Sequence, residues 1–324
     1  MIAPIKTKPV FKQYIWGGST LADKYGKPIE DNFAAESWEI SCHDDGLSLV
    51  AEGEYSGKTL KEVIMGDKLN MIGYETDEFP LLVKFLDANK NLSVQVHPDD
   101  DFAREHENGS LGKTEMWYVI DAKPDAKLVY GLKDGVTRDM LKAALEDGTA
   151  EELLNFVPAK KGDAFFIPSK TLHAICSGLL IAEIQQSSNT TYRVYDYNRT
   201  DAQGNKRPLH IEKALAVINF DSVKGKEKFS PVPIECDGAK AAIISDCEFF
   251  TVVKYDVSGS TAIEPPCRRF ELLVCTEGEA TMEYEGGRMH IAPGDSIFVP
   301  AALGSYRIEG NCSMLRSYVP ASCC

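Results

Sequence analysis

Gln95 and His97 stand two residues apart in the run Leu92-Ser93-Val94-Gln95-Val96-His97-Pro98-Asp99. Apolar and polar residues alternate along it, as in a half-buried strand, so Ser93, Gln95 and His97 share one face. Both an imidazole and an amide oxygen can bind a metal ion, and here they project the same way. Pro98 ends the strand because it has no N–H to give to a ladder. By itself this octapeptide fits a core histidine beside a structural glutamine better than a site. Further donors have to come from elsewhere in the chain.

Two segments offer them. Lys113-Thr114-Glu115-Met116-Trp117-Tyr118-Val119-Ile120 is a β-rich run with a carboxylate near its start, and Lys113 faces the same way two residues earlier. His173 follows the turn-and-strand segment Gly162-Asp163-Ala164-Phe165-Phe166-Ile167-Pro168. Gln95, His97, Glu115 and His173 together make two imidazoles, one carboxylate and one amide oxygen. Such a donor set, free of thiolates, suits a single Zn²⁺, and a site with room for exchangeable ligands is more often catalytic than structural. Each residue separately has an ordinary structural explanation. On three strands of one unit, a metal site becomes the better reading. Downstream, Leu180–Gln185 reads as a strand with Glu183 and Gln185 on one face. It leads into Ser187–Arg199, a loop with two arginines and three tyrosines, an odd composition for a plain connector.

The elements that must position these side chains are mostly strands. Pro80–Asp87 is an apolar run suited to a buried strand, and Lys127–Gly131 is another strand. Thr59–Met65 reads as a short helix capped at Thr59. Asp99–Gly112 reads as a charged loop. Apolar residues at helical spacing over 139–157, interrupted at Asp147-Gly148, predict two short helices, a small insertion at about 137–157. The Gly162–Pro168 segment recurs as Gly294-Asp295-Ser296-Ile297-Phe298-Val299-Pro300, and a strand opening with Glu precedes each copy, at Glu115 and Glu271. This repeat predicts two related β-rich units. The first, residues 1–225, would hold the metal and the helical insertion, and the second, 226–324, would lack ligands.

Composition narrows the partners. At 324 residues the chain is long enough for about two domains at roughly 150 residues each. The net charge of −14 argues against nucleic acid as a partner, which needs a basic face. A small phosphorylated ligand stays open, since it needs only a local cluster of Lys or Arg. No run approaches the roughly 18 apolar residues of a spanning helix, and Met1–Lys6 does not open a secretory signal. Nine cysteines without a CxxC pair read as reduced thiols in a cytoplasmic protein, with Cys323-Cys324 as a frayed tail.

The turn-strand-proline repeat resembles the cupin superfamily, which implies a mainly β fold of two jelly-roll barrels. Gly162, Pro168 and His173 fit the spacing of the second cupin motif, although Lys170 stands where a glycine is usual. In the C-terminal copy Ser305 takes the histidine position, implying a unit that has lost its metal. The motifs LSVQVHPDD, GKTEMWYV, PSKTLHAI and NTTYRVYDYNR, in this order, resemble the short bacterial form of the type I phosphomannose isomerase family. The resemblance implies zinc-dependent interconversion of mannose 6-phosphate and fructose 6-phosphate through a cis-enediol, with Gln95, His97, Glu115 and His173 as zinc ligands. It places the active-site arginine at Arg193 and other polar positions at Trp16, Ser93, Lys113, Glu183 and Glu36. A basic position near the phosphate falls on Arg199, where the long forms carry lysine. Two departures from the long forms are Gly112-Lys113-Thr114 before Glu115 and Ile175 in place of a tyrosine.

An isomerase of this kind needs a base, and Glu183 or a Lys113 depressed by nearby Zn²⁺ are the two candidates. Two other classes remain open at this point. Two histidines and a carboxylate also describe Fe(II) oxygenases, and a cupin can bind a sugar phosphate without turning it over.

Overall fold

In a computed structural model of the chain, which describes residues 2–200, 203–223, 225, 228–265 and 267–320, the Leu92–Asp99 run forms a short strand, Val94–Val96. It belongs to a five-stranded sheet in the order Tyr192–Tyr195, Val94–Val96, His173–Ile175, Lys127–Leu132, Leu154–Pro158. A six-stranded sheet runs Ala164–Ile167, Glu115–Ala122, Leu179–Gln186, Leu81–Ala88, Glu36–Ile40, Val10–Lys12. A nine-stranded sheet holds the C-terminal strands, from Val232–Ile234 to Tyr306–Tyr318, and recruits Ile5–Lys8 and Leu49–Val50 from the start of the chain. The described strand pairs are all antiparallel. The fold is mainly β, as the repeat predicts.

The six-stranded sheet is the central layer, and the two-residue period of its strands sorts its side chains. Leu81, Val83, Phe85, Met116, Tyr118, Ala182 and Ile184 point one way, into a core completed by Phe270, Leu272, Val274, Phe298 and Leu315 of the nine-stranded sheet. Burying each of these large apolar side chains contributes roughly 1.5–3 kcal/mol. The alternate residues Leu86, Trp117, Val119 and Ile181 face a second core shared with Leu128, Tyr130 and Ile175 of the five-stranded sheet. Lys84 and Glu183 are on this same inner face, so polar side chains are held inside by strands whose every residue is buried. That is the layer in which a site can form.

The sequence repeat is also a structural one. Ile167 lies opposite Glu115, and Val299 lies opposite Glu271, so the two glutamates hold matching register positions. Gly162 and Gly294 both sit at positive φ, 89° and 86°, where a side chain would be strained. Lys170, at the position where a glycine is usual, also has positive φ, 69°. The first strand nevertheless completes the C-terminal sheet, with Ile5 opposite Phe298.

The structure differs from the sequence expectations in three places. The region 137–157 holds one helix, Arg138–Asp147, closed by Gly148 at φ 75°; the second helix is a single 3₁₀ turn, Ala150–Leu153. Leu154–Pro158 is instead an edge strand on Lys127–Leu132, because pairing satisfies its backbone where a four-residue helix could not. The charged Asp99–Gly112 loop contains the helix Asp100–His106, since Asp99 caps it by accepting from Phe102 N at 3.1 Å. The tyrosine-arginine loop contains the strand Tyr192–Tyr195, paired to Val94–Val96. The expected helix at Thr59–Met65 forms as Leu60–Gly66 behind a capping box of Thr59 and Glu62.

The cysteines at 42, 176, 236, 247, 267, 275 and 312 are free thiols. Cys323 and Cys324 lie outside the described residues. Among those described, no helix is long and apolar enough to cross a membrane.

Candidate active site and metal centre

Strand register assembles the site. His173 is opposite Gln95, and Gln95 is opposite Arg193, so one row across three strands carries an imidazole, an amide and a guanidinium. Directly paired residues point to the same side of a sheet. In the facing sheet Trp38, Lys84, Glu183 and Trp117 form a matching row. Between the rows is a cavity of about 270 Å³, lined by Trp16, Glu36, Ser93, Gln95, Lys113, Glu183 and Arg193 among others.

Behind the lining residue Lys113, His97, Glu115 and His173 bring one ligand atom each within 4.8 Å of one another, all three residues buried. His97 Nδ1 is 2.8 Å from the Thr190 carbonyl, and His173 Nδ1 is 2.8 Å from the Thr171 carbonyl. A carbonyl only accepts, so both rings carry their proton on Nδ1 and turn the bare Nε2 inward. His97 Nε2 is 3.7 Å from Glu115 Oε2, and His173 Nε2 is 3.2 Å from Glu115 Oε1. Both carboxylate oxygens and His173 Nε2 lack a hydrogen-bond partner. Buried polar atoms are rarely left so. Two imidazole nitrogens turned inward onto a buried carboxylate fit a small divalent cation, with Gln95 opposite His173 in the sheet and Lys113 on the other side of the cluster.

Electrostatics agree with that fit. Burial pushes the His173 imidazole down to about 4, and burial with the charge of Lys113 holds His97 well below its ordinary range. Both are therefore neutral at pH 7, as ligation requires. Burial and then Glu183 push the Glu115 carboxyl up. Lys113 Nζ is 2.8 Å from Glu115 Oε2, as an ion pair outside good hydrogen-bond alignment, and 3.6 Å from Glu183 Oε1. Burial alone would lower Lys113, but the two carboxylates outweigh it and hold the ammonium above its ordinary range. Glu115 and Glu183 thus favour the charged form of Lys113 in the protein without a bound cation.

Burial works to raise Glu183, but Lys113 and Lys84 outweigh it and keep Glu183 a carboxylate. Its Oε2 accepts from Trp117 Nε1 at 3.0 Å, and Lys84 Nζ is 3.5 Å from its Oε1. Trp16 is buried against the cavity and stacks on Tyr14 at 5.8 Å. Gly17 beside it is required by close approach: a Cβ there would stand 2.6 Å from Ala35 N.

Ten of the eleven sequence-derived site residues are brought together here, seven on the cavity lining and His97, Glu115 and His173 behind it. Arg199 is not: its guanidinium donates to the Asn91 carbonyl and to Asp196, outside the cavity lining. The lining also includes Lys84, Tyr14, Asn189, Thr191 and Arg207, none assigned from sequence. Lys84 had a signal, a lone lysine inside an otherwise apolar strand. Arg207 had none, because it follows the strand-and-turn segment with no pattern of its own.

The C-terminal unit shows what replaces the centre. Glu271, the register match of Glu115, pairs with the Arg316 guanidinium and accepts from the Tyr306 hydroxyl at 2.6 Å. Ser305 donates to Glu264 instead. Among the described residues, the His97–Glu115–His173 set is the one cluster of potential metal ligands.

An inward-facing donor set between two antiparallel sheets, beside a second copy of the turn-strand pattern, defines a cupin-type protein with a candidate metal centre. Residues 5–126 match "Phosphomannose isomerase type I, catalytic domain", and residues 240–319 match "Mannose-6-phosphate isomerase, cupin domain". The chain belongs to the type I phosphomannose isomerase family. The mannose-6-phosphate isomerase ManA of Bacillus subtilis is 41% identical over 98% of this chain and 99% of its own length. That of Streptococcus mutans is 37% identical over 98% and 99%. The crystal structure of the mannose 6-phosphate isomerase from Bacillus subtilis matches with a TM-score of 0.91 at 38% identity, covering 97% of this chain and 99% of that one.

Proposed function

We propose that the chain is a zinc-dependent aldose–ketose isomerase that interconverts mannose 6-phosphate and fructose 6-phosphate through a cis-enediol. The observation that carries this is the unpartnered donor pair, Glu115 Oε1 and His173 Nε2, buried behind Lys113, which lines a cavity together with Arg193. His97, Glu115 and His173, with Gln95 as fourth donor, would hold one Zn²⁺ per chain. When bound, the ion would supply Lewis-acid polarisation of the sugar carbonyl.

The chain's own residues do the rest. Glu183, kept as a carboxylate, takes the proton from C2 of the aldose and returns it to C1. Lys113, kept as an ammonium, protonates the carbonyl oxygen as the enediol forms and recovers a proton from the neighbouring hydroxyl. Arg193 stabilises the negative charge that develops on those oxygens. Trp16 and Ser93 line the cavity and contact the sugar, and Trp16 keeps water from that wall. The metal-bearing unit is 1–225, and 226–324 serves it as a scaffold. Free thiols fit a reducing compartment, and we place the enzyme in the cytoplasm, acting on a small molecule without nucleic acid or membrane.

A coupled assay with mannose 6-phosphate, run with and without chelator, tests the reading. Turnover lost to the chelator and restored by zinc is expected. Full turnover in metal-free protein would overturn it, and iron content with oxygen consumption would replace it with an oxygenase.

A further inference from the structure

The cavity has a second charged pole, away from the metal donors. Arg193 is held there by three bonds to the segment that follows Arg207. Its Nη1 donates to the Pro208 carbonyl at 2.9 Å, its backbone N to His210 Nδ1 at 3.1 Å, and His210 N donates to its carbonyl at 2.8 Å. This clamp fixes the chain at Arg207 beside Arg193, and both side chains line the cavity.

Asp196 then aims Arg207. Its buried carboxylate accepts from Arg207 Nε at 2.8 Å and Arg207 Nη2 at 2.5 Å. The same carboxylate takes Arg199 Nη2, while Arg199 Nε and Nη1 donate to the carbonyls of Asp196 and Asn91. Each nitrogen of Arg199 thus makes a bond to the protein, and none of the three bonds is at the cavity. Arg193 spends Nε on Ser93 Oγ at 3.3 Å and Nη1 on Pro208, leaving Nη2. The bonds of Arg207 leave Nη1.

Arg199 and Arg207 share the one Asp196 carboxylate, and among the described residues Arg193 beside them has no ion pair of its own. Two of the three groups have donors to spare at the cavity. Clustered cations of this kind are costly without an anion, and planar guanidiniums match a phosphate oxyanion with paired bonds. We propose that Arg207, acting with Arg193, binds the phosphate of the substrate, that Asp196 is the residue positioning Arg207, and that Arg199 braces the turn instead of touching substrate. This rests on the sugar-phosphate reading above and reassigns the phosphate contact within it.

The test uses Arg207→Gln, Arg207→Lys and Arg199→Gln in the full-length, zinc-loaded protein. Two quantities are read: KM for mannose 6-phosphate, and the affinity for inorganic phosphate measured directly by calorimetry. Losing one charge-assisted contact corresponds to a roughly 10- to 100-fold loss. R207Q is expected to raise KM and weaken phosphate binding by that factor, with kcat changed far less, and R207K to recover part of both. R199Q is expected to change both by less than R207Q. An equal or larger loss in R199Q, or unchanged phosphate binding in R207Q, overturns the assignment. Phosphate binding is read without turnover, so a wild-type protein that binds phosphate through Arg207 yet fails to isomerise the sugar would sink the isomerase reading alone.

Discussion

His173 Nε2 stands 3.2 Å from Glu115 Oε1, and neither atom has a hydrogen-bond partner. With the imidazole neutral, two electron-rich atoms face each other in a buried interior. Such a pair is held by what binds between them. Metal removal is therefore expected to lower the melting temperature as well as the activity, since a ligand of the native state stabilises it by mass action. His173→Ala should abolish stoichiometric zinc together with turnover, read by metal analysis on the purified variant. Stoichiometric zinc retained in that variant would show that the ion binds elsewhere.

Glu183 lies between Lys84 and Lys113, at 3.5 and 3.6 Å. Glu183→Gln preserves shape and the Trp117 contact but removes the proton acceptor. The expected fall in kcat is about 10²- to 10⁴-fold, the usual range for a positioned acid–base group. Zinc content should stay intact, because Glu183 is no ligand. A variant with near-normal kcat would move the base to another residue.

The depressed histidines give the metal-free protein a pH dependence of stability. An unfolded histidine titrates near 6.5, whereas His173 in the fold titrates at about 4. Between those values the unfolded state binds the extra proton, so stability falls as pH drops from about 6.5 towards 4. The depressed value corresponds to roughly 3 kcal/mol at the acid end, from about 1.4 kcal/mol per unit. Urea unfolding of chelator-treated protein at pH 7 and pH 5 should show this loss. His173→Gln should shrink it, and an unchanged slope in that variant would exclude His173 as the source.

Arg316 and Glu271 form a buried pair in the C-terminal unit, at 5% and 1% exposure. Arg316→Met leaves a carboxylate buried with only Tyr306 as donor, and is expected to cost about 3–5 kcal/mol in urea unfolding. The double variant Arg316→Met with Glu271→Met should recover much of it. Because the pair belongs to the second unit, zinc content should not change in either variant.

The candidate ligand set was legible in the sequence in part through local spacing and in part, for His173, through the resemblance to the cupin motif. Alternation puts Ser93, Gln95 and His97 on one face, a proline ends the strand, and the repeated Gly-Asp turn marks Glu115 and Glu271 as counterparts. Those rules depend only on strand geometry and turn chemistry, which a short window contains. The capped helix at Leu60–Gly66 was legible for the same reason.

The charge balance was decided only by tertiary structure. Lys113 is held above its ordinary range by Glu115, two residues on, and by Glu183, which arrives from a strand about 70 residues away in sequence to stand 3.6 Å from its ammonium. Lys84 looks out of place in its own strand until pairing sets it opposite Glu183. Arg199 and Arg207 are alike as sequence, two arginines in a polar segment. A single buried carboxylate and the bonds from Arg193 to Pro208 and His210 set one outside the cavity and the other on its wall. Residue type and spacing determined which groups could bind a metal. Long-range packing determined their charges and which cations reach the cavity, because electrostatic fields come from neighbours in space.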